Sequence, residues 1–318
     1  MSEFHLIRRY LTGVGAARDD VLVDVGDDCA LLRVPAGQAL AVGIDTLVAG
    51  VHFLPDTDPE SLGWKALAVN LSDLAAVGAE PAWATMALTL PEADAAWLAA
   101  LARGFGALAA AQAVRLVGGD VTRGPLTITV QAHGFVPDGR ALRRNGARPG
   151  DIIGVSGTIG DAGLALRRLL AGEPVDEALR RRLERPTPRV ALGERLRDVA
   201  TSAIDLSDGL LADLGHVLEA SGCGARVELA RLPLADQVAA VVAPHDDWML
   251  PLASGDDYEL CFTLPRAAAA QLPALAAAAG CPLTIIGEIE SGDGLRCLRT
   301  DGSLWRGHGG GYDHFAAT

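Results

Sequence analysis

The chain has 318 residues, half of them hydrophobic, and its formal charge is −13 because 40 acidic residues outnumber 27 Lys and Arg. At about 100–200 residues per domain, this length predicts two domains, and the hydrophobic content excludes a mainly disordered chain. The acidic balance argues against nucleic acid as a partner. No apolar run reaches the roughly 18 residues of a membrane-spanning helix, and the start of the chain lacks a signal-peptide pattern.

The composition of cysteine and lysine narrows the function further. The five cysteines are widely spaced and form no Cys-x-x-Cys pair, so we expect a reducing cytoplasm rather than a disulfide framework or a zinc site. Lys65 is the only lysine, which excludes a P-loop, since that loop needs a Gly-Lys pair. A phosphate ligand would therefore have to be neutralised by something other than lysine.

Hydrophobic periodicity predicts a mixed α/β fold. A basic, turn-rich segment at 140–150 is typical of a domain junction, so we expect an N-terminal domain at 1–139 and a C-terminal domain at 140–318. Strands are predicted at 21–25, 39–45, 84–90, 114–117, 126–136, 151–156, 225–229, 258–263 and 283–288, and helices at 3–11, 61–77, 92–111, 162–171, 188–199, 207–220 and 266–279.

Aspartates follow the predicted strands repeatedly. In α/β folds, ligands collect at the carboxyl ends of strands. Each site alone also fits a plain turn, and Ser207 or Asp208 also fits the N-cap of the next helix. Taken together, the repeated pattern favours a site for a ligand that binds oxygen atoms. The acids in this pattern are Asp28, Asp45, Asp120, Asp205 and Asp208.

Asp73 lies inside an otherwise apolar predicted helix. Burying an unpaired carboxylate costs several kcal/mol, so Asp73 needs a partner, and carboxylate oxygens suit Mg²⁺. Several Mg²⁺ ions between these acids and a nucleoside triphosphate would turn repulsion into the clamp that phosphoryl transfer requires. Arg144 fits either a phosphate contact or a solvated charge, and the turn at 157–163 fits either a phosphate cradle or a plain tight turn.

Six motifs in this order resemble the thiamine-monophosphate kinase family, which belongs to the aminoimidazole-ribonucleotide-synthetase-like superfamily. The resemblance covers nearly the whole chain. The motifs are Gly-Asp-Asp-Cys-Ala at 26–30, Asp-Thr-Leu-Val-Ala-Gly-Val-His-Phe at 45–53, Lys-Ala-Leu-Ala-Val-Asn-Leu-Ser-Asp at 65–73, Gly-Gly-Asp-Val-Thr at 118–122, Ala-Ile-Asp-Leu-Ser-Asp-Gly at 203–209 and Tyr-Asp-His-Phe at 312–315.

The resemblance implies an activity and an architecture. The expected reaction is direct, in-line transfer of the ATP γ-phosphoryl group to thiamine monophosphate, which gives thiamine diphosphate, with several Mg²⁺ ions and without a covalent nucleophile or general base. The expected assembly is a cytoplasmic homodimer. Its N-terminal domains bind ATP and Mg²⁺ and form a dimer-spanning β-barrel, and each C-terminal α/β domain ends in a tail that closes over the substrate.

The same resemblance assigns site residues by matching position. Gly43 and Ile44 stand where family members often carry hydroxyl residues, so any ligation there would use backbone carbonyls. Asp256 stands where glutamate is common. The expected Mg²⁺ ligands are Asp28, Gly43, Ile44, Asp45, Asp73, Asp120, Asp205 and Asp208. The expected ATP contacts are Gly119, Asp120, Arg144 and Ser207, and the expected contacts of thiamine monophosphate are His52, Asp256 and Tyr312.

Three other functions are open at this point. One is a different ATP-dependent synthetase of the superfamily, such as a selenophosphate synthetase or a hydrogenase-maturation protein, although this chain lacks the N-terminal Cys and Lys of the first and the C-terminal Cys of the second. Another is a Mg²⁺-dependent phosphohydrolase, in which water replaces the acceptor. A non-catalytic, metal-dependent nucleotide sensor is the third.

Overall fold

The computed structural model describes residues 3–307. The chain divides into two compact units, Met1–Leu74 with Ala79–Ala141 and Ala75–Gly78 with Leu142–Thr318. Each unit contains helices and a mixed sheet, so the predicted mixed α/β class is confirmed. None of the helices within 3–307 is both long and apolar enough to cross a membrane.

The first unit is built on a four-stranded sheet with the order β3-β6-β4-β5, in which only β4 and β5 run parallel. A separate two-stranded sheet pairs β1 with β2. The elements are α1 (Glu3–Leu6), a π-helical turn (Ile7–Leu11), β1 (Val21–Val23), β2 (Leu31–Leu32), β3 (Gln38–Val48), α2 (Pro59–Ala76), β4 (Glu80–Leu90), α3 (Ala95–Ala111), β5 (Arg115–Arg123) and β6 (Thr127–Pro137).

One face of this sheet is covered by helix. Leu74 of α2 lies against β6, since a Cβ added at Gly134 would be 3.2 Å from its Cδ1. Most side chains of α2 are buried, as expected for a helix that is apolar on all sides. Its crossing with α3 requires a glycine, because a Cβ at Gly104 would lie 1.7 Å from the backbone oxygen of Glu60.

The opposite face is covered at one end and open elsewhere. Val21 and Leu32 of the small sheet pack against the buried pair Trp83 and Phe135. Beyond this cluster, the edge strand β3 has one sheet neighbour, β6. Its outward side chains are apolar and exposed, which is unusual for a solvated edge. They are Leu40, Val42 and Ile44, with exposed fractions of 43%, 52% and 60%.

Three strands of this sheet are longer than the sequence predicts, since β4 begins at Glu80 rather than at residue 84. β3 continues to Val48 and β5 continues to Arg123. The prediction that Asp45 and Asp120 follow strand ends is therefore wrong, since both lie inside strands. From the sequence, the Gly-Gly pair at 118–119 predicts the end of a strand. In the structure, Gly119 instead allows β5 to pair closely with β4, since a Cβ at this position would lie 1.9 Å from the backbone oxygen of Met86.

The second unit is built on a seven-stranded sheet with the order β13-β12-β9-β11-β7-β10-β8, in which β12 and β9 run parallel. Its elements are β7 (Asp151–Ser156), α4 (Asp161–Leu170), α5 (Glu177–Glu184), α6 (Val190–Leu196), β8 (Ser202–Asp205), α7 (Leu210–Ser221), β9 (Gly224–Glu228), α8 (Asp236–His245), α9 (Met249–Ala253), β10 (Leu260–Pro265), α10 (Leu272–Ala279), β11 (Leu283–Glu290), β12 (Gly294–Leu298) and β13 (Leu304–Trp305), with short 3₁₀ turns at Arg144–Gly146, Leu229–Arg231 and Arg266–Gln271.

A buried ion cluster ties α5 and the segment before α6 to the centre of this sheet. Glu259 is completely buried, and Arg189 donates two hydrogen bonds to its carboxylate, at 2.6 and 2.5 Å. Arg182 of α5 forms a further ion pair with it at 2.9 Å, and the Ser156 hydroxyl donates at 2.5 Å. The partners satisfy both oxygens, which is the condition under which a buried carboxylate is tolerated.

We expect Arg189→Ala to lower the free energy of unfolding by about 3–5 kcal/mol, because the change leaves the buried Glu259 carboxylate without its bidentate partner. Arg195→Ala is the matched control: Arg195 is exposed and bonds only a helix carbonyl in the described contacts, so its loss should change stability by less than about 0.5 kcal/mol. Urea unfolding followed by circular dichroism measures both. Equal stabilities of the two variants would contradict the assignment.

Candidate functional site

Helix α2 brings two polar side chains to strand β3. A Cβ added at Gly43 would lie 3.2 Å from Oδ2 of Asp73, so this carboxylate lies directly against the strand. One turn earlier, Asn70 is fully buried, and its Oδ1 accepts a hydrogen bond from the backbone N–H of Asp45 at 3.1 Å. Asp45 and Gly43 are two residues apart and share a strand face. The structure therefore brings Asp45 and Asp73 to the same side of β3.

The atoms present here fit a hard divalent cation. Two carboxylates and nearby backbone carbonyls are oxygen donors, and Mg²⁺ usually takes only a few carboxylates while water and substrate phosphate complete its shell. The absence of a side chain at Gly43 leaves Asp73 room against the strand. Within residues 3–307 no group of three or more His, Cys, Asp or Glu is arranged to hold a metal.

Strand register separates Asp120 from this pair. Asp45 is level with Val130, Val130 with Met86, and Met86 with Gly119. Three strand spacings of about 4.8 Å place β5 roughly 14 Å from β3. Asp120 is exposed and pairs in register with the exposed Ala87, so it points to the open face rather than to α2.

Asp28 lies in the exposed turn that follows β1. The start of this turn is fixed by Asp24, whose carboxylate forms an ion pair with Arg115 of β5 and accepts the N–H of Val25 at 2.8 Å. The backbone N–H of Asp28 donates to Oδ1 of Asp27 at 2.8 Å. The acids of this turn are therefore exposed to solvent, while the start of the turn is held by the Asp24 contacts.

His52 follows β3 in a tight turn. The ring Nδ1 of His52 accepts a hydrogen bond from the backbone N–H of Val48 at 3.0 Å. The backbone N–H of His52 donates to the Val48 carbonyl, also at 3.0 Å. An imidazole whose Nδ1 is an acceptor carries its proton on Nε2 when neutral. The ring is thus held as a donor, which is the form that suits a phosphate oxygen.

In the second unit, β8 ends at Asp205 and α7 begins at Leu210, so that Ser207 and Asp208 lie in the connecting turn. The prediction that Ser207 or Asp208 caps α7 is wrong. The N-cap position is Gly209, without a side-chain cap. The buried Asp213 reaches back from the first turn instead, and its Oδ2 accepts from the N–H groups of Asp208 and Gly209 at 3.1 and 3.0 Å.

The segment that carries Asp256 packs beside this turn. The N–H of Asp256 donates to the carbonyl of Ser207 at 2.9 Å, and the N–H of Tyr258 donates to that of Leu206 at 2.9 Å. The structure therefore brings Asp205, Ser207 and Asp256 into one region of the second unit.

Two other predicted contacts stand apart from this region. The backbone carbonyl of the exposed Arg144 accepts a hydrogen bond from the Ser221 hydroxyl. Ser221 is the last residue of α7, whose 12 residues span roughly 18 Å, so this contact lies at the end of the helix opposite to the turn with Ser207. Tyr312 lies outside the described residues.

The turn at 157–163 is already filled by the protein. Both carboxylate oxygens of Asp257 accept from the N–H of Gly160, at 2.9 and 3.0 Å, just before α4 begins. Burial raises the pKa of Asp257 well above its usual value, although the Gly160 hydrogen bond opposes that shift. The arrangement favours the plain tight turn over the phosphate cradle.

Family comparisons agree with this distribution of residues over the two units. Residues 26–136 match the family model "AIR synthase related protein, N-terminal domain", and residues 148–298 match "AIR synthase related protein, C-terminal domain". The thiamine-monophosphate kinase of Escherichia coli (strain K12) is 51% identical over 319 residues, covering 99% of this chain and 98% of that protein. The chain belongs to the thiamine-monophosphate kinase family.

Solved structures of the family have the same fold. The thiamine-monophosphate kinase from Stenotrophomonas maltophilia K279a is 47% identical, with a TM-score of 0.85 over 95% of this chain and 96% of that chain. The structure of AaThiL complexed with AMPPCP and TMP is 31% identical, with a TM-score of 0.77 over 89% of both chains. The two-part, mixed-sheet architecture of the AIR synthase related proteins is therefore shown for this chain.

Sequence reasoning missed three residues that hold this family's motifs in place. Asn70 positions the backbone of Asp45, Asp213 positions that of Asp208, and Asp257 fills the turn before α4. Asn70 lies three residues before Asp73 on α2, and this helical spacing is the signal that could have revealed it. No comparable spacing links Asp213 to Asp208, because Asp208 lies before α7 begins.

Asp213 predicts a pH-dependent stability. Burial, reinforced by the carboxylates of Asp205 and Asp208, raises its pKa from 3.8 to about 8. The unfolded chain therefore ionises this group first, and stability falls as the pH rises from about 4 to about 8, by up to about 1.4 kcal/mol per pH unit.

With divalent cations chelated, we therefore expect the stability advantage of Asp213→Asn over the unsubstituted protein to grow between pH 5 and pH 8 in urea titrations. Asp236→Asn, at an exposed position of α8, is the control. An advantage of Asp213→Asn that stays flat with pH would show that the carboxyl is not held protonated.

Proposed function

We propose that the chain phosphorylates thiamine monophosphate with ATP and Mg²⁺, which gives thiamine diphosphate and ADP. The observation that carries this proposal is the 51% identity to a thiamine-monophosphate kinase over 99% of the chain. The similar structure with AMPPCP and TMP supports both substrates. Membership of this family also disfavours the other superfamily synthetases.

The transfer needs no general base. The second phosphate pKa is about 6, so the acceptor oxygen is already ionised near neutral pH. The protein's task is then to align donor and acceptor and to offset charge. Bound Mg²⁺ supplies the charge compensation that lysine supplies in other phosphate-handling proteins. Asp45 and Asp73 hold one such ion together with the backbone carbonyls of Gly43 and Ile44.

The remaining site residues divide between the substrates. Gly119, Asp120, Arg144 and Ser207 contact ATP, and Asp28, Asp120, Asp205 and Asp208 contribute further Mg²⁺ ligands. His52 donates from Nε2 to the acceptor, since its Nδ1 is engaged by Val48. Asp256 and Tyr312 contact thiamine monophosphate, with Tyr312 on the C-terminal tail. In this proposal, residues 1–139 bind ATP and Mg²⁺ and dimerise, and residues 140–318 form the C-terminal α/β part.

The active form is a homodimer. Leu40, Val42 and Ile44 form an exposed apolar edge that a second copy would bury. Two four-stranded sheets that join through β3 of one protomer and β5 of its partner would close into an eight-stranded barrel. That pairing would also place the strands that carry Asp45 and Asp120 side by side, about 4.8 Å apart instead of roughly 14 Å, with the two side chains still on opposite faces of the sheet. The free cysteines support a cytoplasmic location.

The reaction can be tested directly by incubating the protein with Mg²⁺, ATP and thiamine monophosphate and separating the products. We expect thiamine diphosphate and ADP in equal amounts. Asp73→Asn should lower kcat by at least about 100-fold, because it removes one of two carboxylates from the ion. Asp94→Asn, at the N-cap of α3, is the control and should retain activity.

Free phosphate without thiamine diphosphate would identify a phosphohydrolase instead. Tight ATP binding without turnover would identify a nucleotide sensor.

The composite site can be tested by mixing two inactive variants. Asp45→Asn and Asp120→Asn each damage both sites of a homodimer. If one site combines Asp45 of one protomer with Asp120 of its partner, a mixed dimer contains one site with neither change. After subunit exchange, we expect activity to return to about one quarter of that of the unsubstituted protein. Sedimentation confirms that the mixture is dimeric, and a dimeric mixture without recovery would place both acids of each site on one protomer.

A further inference from the structure

The segment before β10 has an uncommon backbone conformation. Four non-glycine residues within 3–307 have a positive φ, and two of them are Asp256 at +63° and Tyr258 at +50°. Side chains with a Cβ are disfavoured in this region, and a bulky aromatic residue there is a true outlier. Such outliers persist only where the surrounding structure holds them, and they concentrate at functional sites.

Asp257 and Glu259, which alternate with Asp256 and Tyr258 along the chain, anchor the segment. Asp257 is buried and accepts twice from the Gly160 N–H. Glu259 is buried and is held by Arg182 and Arg189. Because both anchors are hydrogen-bonded inside the unit, and the Glu259 bonds are charge-assisted, the segment cannot relax without breaking them.

The backbone of the segment is also fixed on its other edge. Asp256 and Tyr258 donate to the carbonyls of Ser207 and Leu206, both at 2.9 Å. Gly255 approaches so closely that a Cβ would lie 2.5 Å from the Ser207 oxygen. The segment is therefore locked to the turn that carries Ser207.

Within this rigid segment, one side chain orients the other. The Tyr258 hydroxyl donates to Oδ1 of Asp256 at 2.9 Å. Tyr258 is 8% exposed, whereas Asp256 is only partly buried. A buried phenol thus holds a carboxylate that reaches the surface of the unit and sets its direction.

We propose that Tyr258 is a positioning residue for acceptor recognition, which aims the Asp256 carboxylate at the amino group of a heteroaromatic ring. The inference rests on the proposed function and adds a residue to it. Thiamine monophosphate carries its amino group on a neutral pyrimidine ring at one end, whereas its cationic thiazolium ring bears the side chain that ends in the phosphate. A carboxylate repels phosphate and attracts N–H donors. Asp256 therefore recognises the aminopyrimidine end of the acceptor.

The test is Tyr258→Phe, which removes one oxygen atom and keeps the ring. We expect the KM for thiamine monophosphate to rise about tenfold, with kcat and the KM for ATP within about twofold, since an interaction made equally in ground and transition states affects KM alone. Tyr10→Phe, in the first unit, is the matched control and should leave all three constants unchanged.

A double-mutant cycle separates orientation from general packing. If Tyr258 acts through Asp256, Tyr258→Phe should add no further loss to Asp256→Asn. Independent, additive losses, or an unchanged KM in Tyr258→Phe, would overturn the inference. Activity of the unsubstituted protein separates a failure of this inference from a failure of the proposed function. If the unsubstituted protein does not phosphorylate thiamine monophosphate, the proposed function itself is contradicted.

The strained backbone gives a second, activity-independent readout. Asp256→Gly and Asp256→Ala both remove the carboxylate, but only glycine tolerates φ near +63°. We expect the glycine variant to melt about 2–4 °C above the alanine variant, while both lose acceptor affinity to the same extent in calorimetric titration with thiamine monophosphate. Equal melting temperatures would show that the segment is not strained at this position.

Discussion

The alternation of side chains along the four-stranded sheet is the constraint on which the site depends. Successive residues of β3 and β5 point to opposite faces, so Asp45 faces the side of helix α2, where Asp73 lies against Gly43, while Asp120 faces the open side. The two strands are also roughly 14 Å apart across the sheet. One sheet therefore keeps Asp120 away from the acids beside α2. Under the proposed function, a second copy that covers the exposed apolar side chains of β3 would supply the remaining acids.

The sequence predicts the residues of the site better than their surroundings. The argument that a carboxylate inside the apolar helix α2 needs a partner singles out Asp73, which the structure places against β3, and strand 151–156 is predicted with the observed bounds. The predicted ends of β3 and β5 are wrong. For β5, a Gly-Gly pair favours the end of a strand by local propensity, whereas here the close contact with β4 requires glycine at residue 119. Helix α5 is missed because Leu179 and Leu183 are its only buried residues, which is too weak a period to recognise.

What local patterns cannot supply is the set of long-range hydrogen bonds that hold the motifs. Asn70 and Asp45 are 25 positions apart, and Glu259 and Arg189 are 70 apart. Helical spacing shows where such a residue stands but not which backbone group it will bind. The motif residues are therefore readable from the sequence, and the residues that orient them become visible only when the strands and helices are in register.

The second unit accommodates its acids in two different ways. Arg182 and Arg189 give Glu259 permanent partners, since a guanidinium cannot lose its charge at any physiological pH and its fork matches a carboxylate. At the turn before α7, burial together with the nearby carboxylates of Asp205 and Asp208 instead raises the pKa of Asp213. Arginine at that turn would remove the repulsion and also the affinity for a cation. A chain with one lysine therefore combines fixed arginine pairs, where rigidity is needed, with crowded carboxylates, whose repulsion a divalent ion relieves on binding.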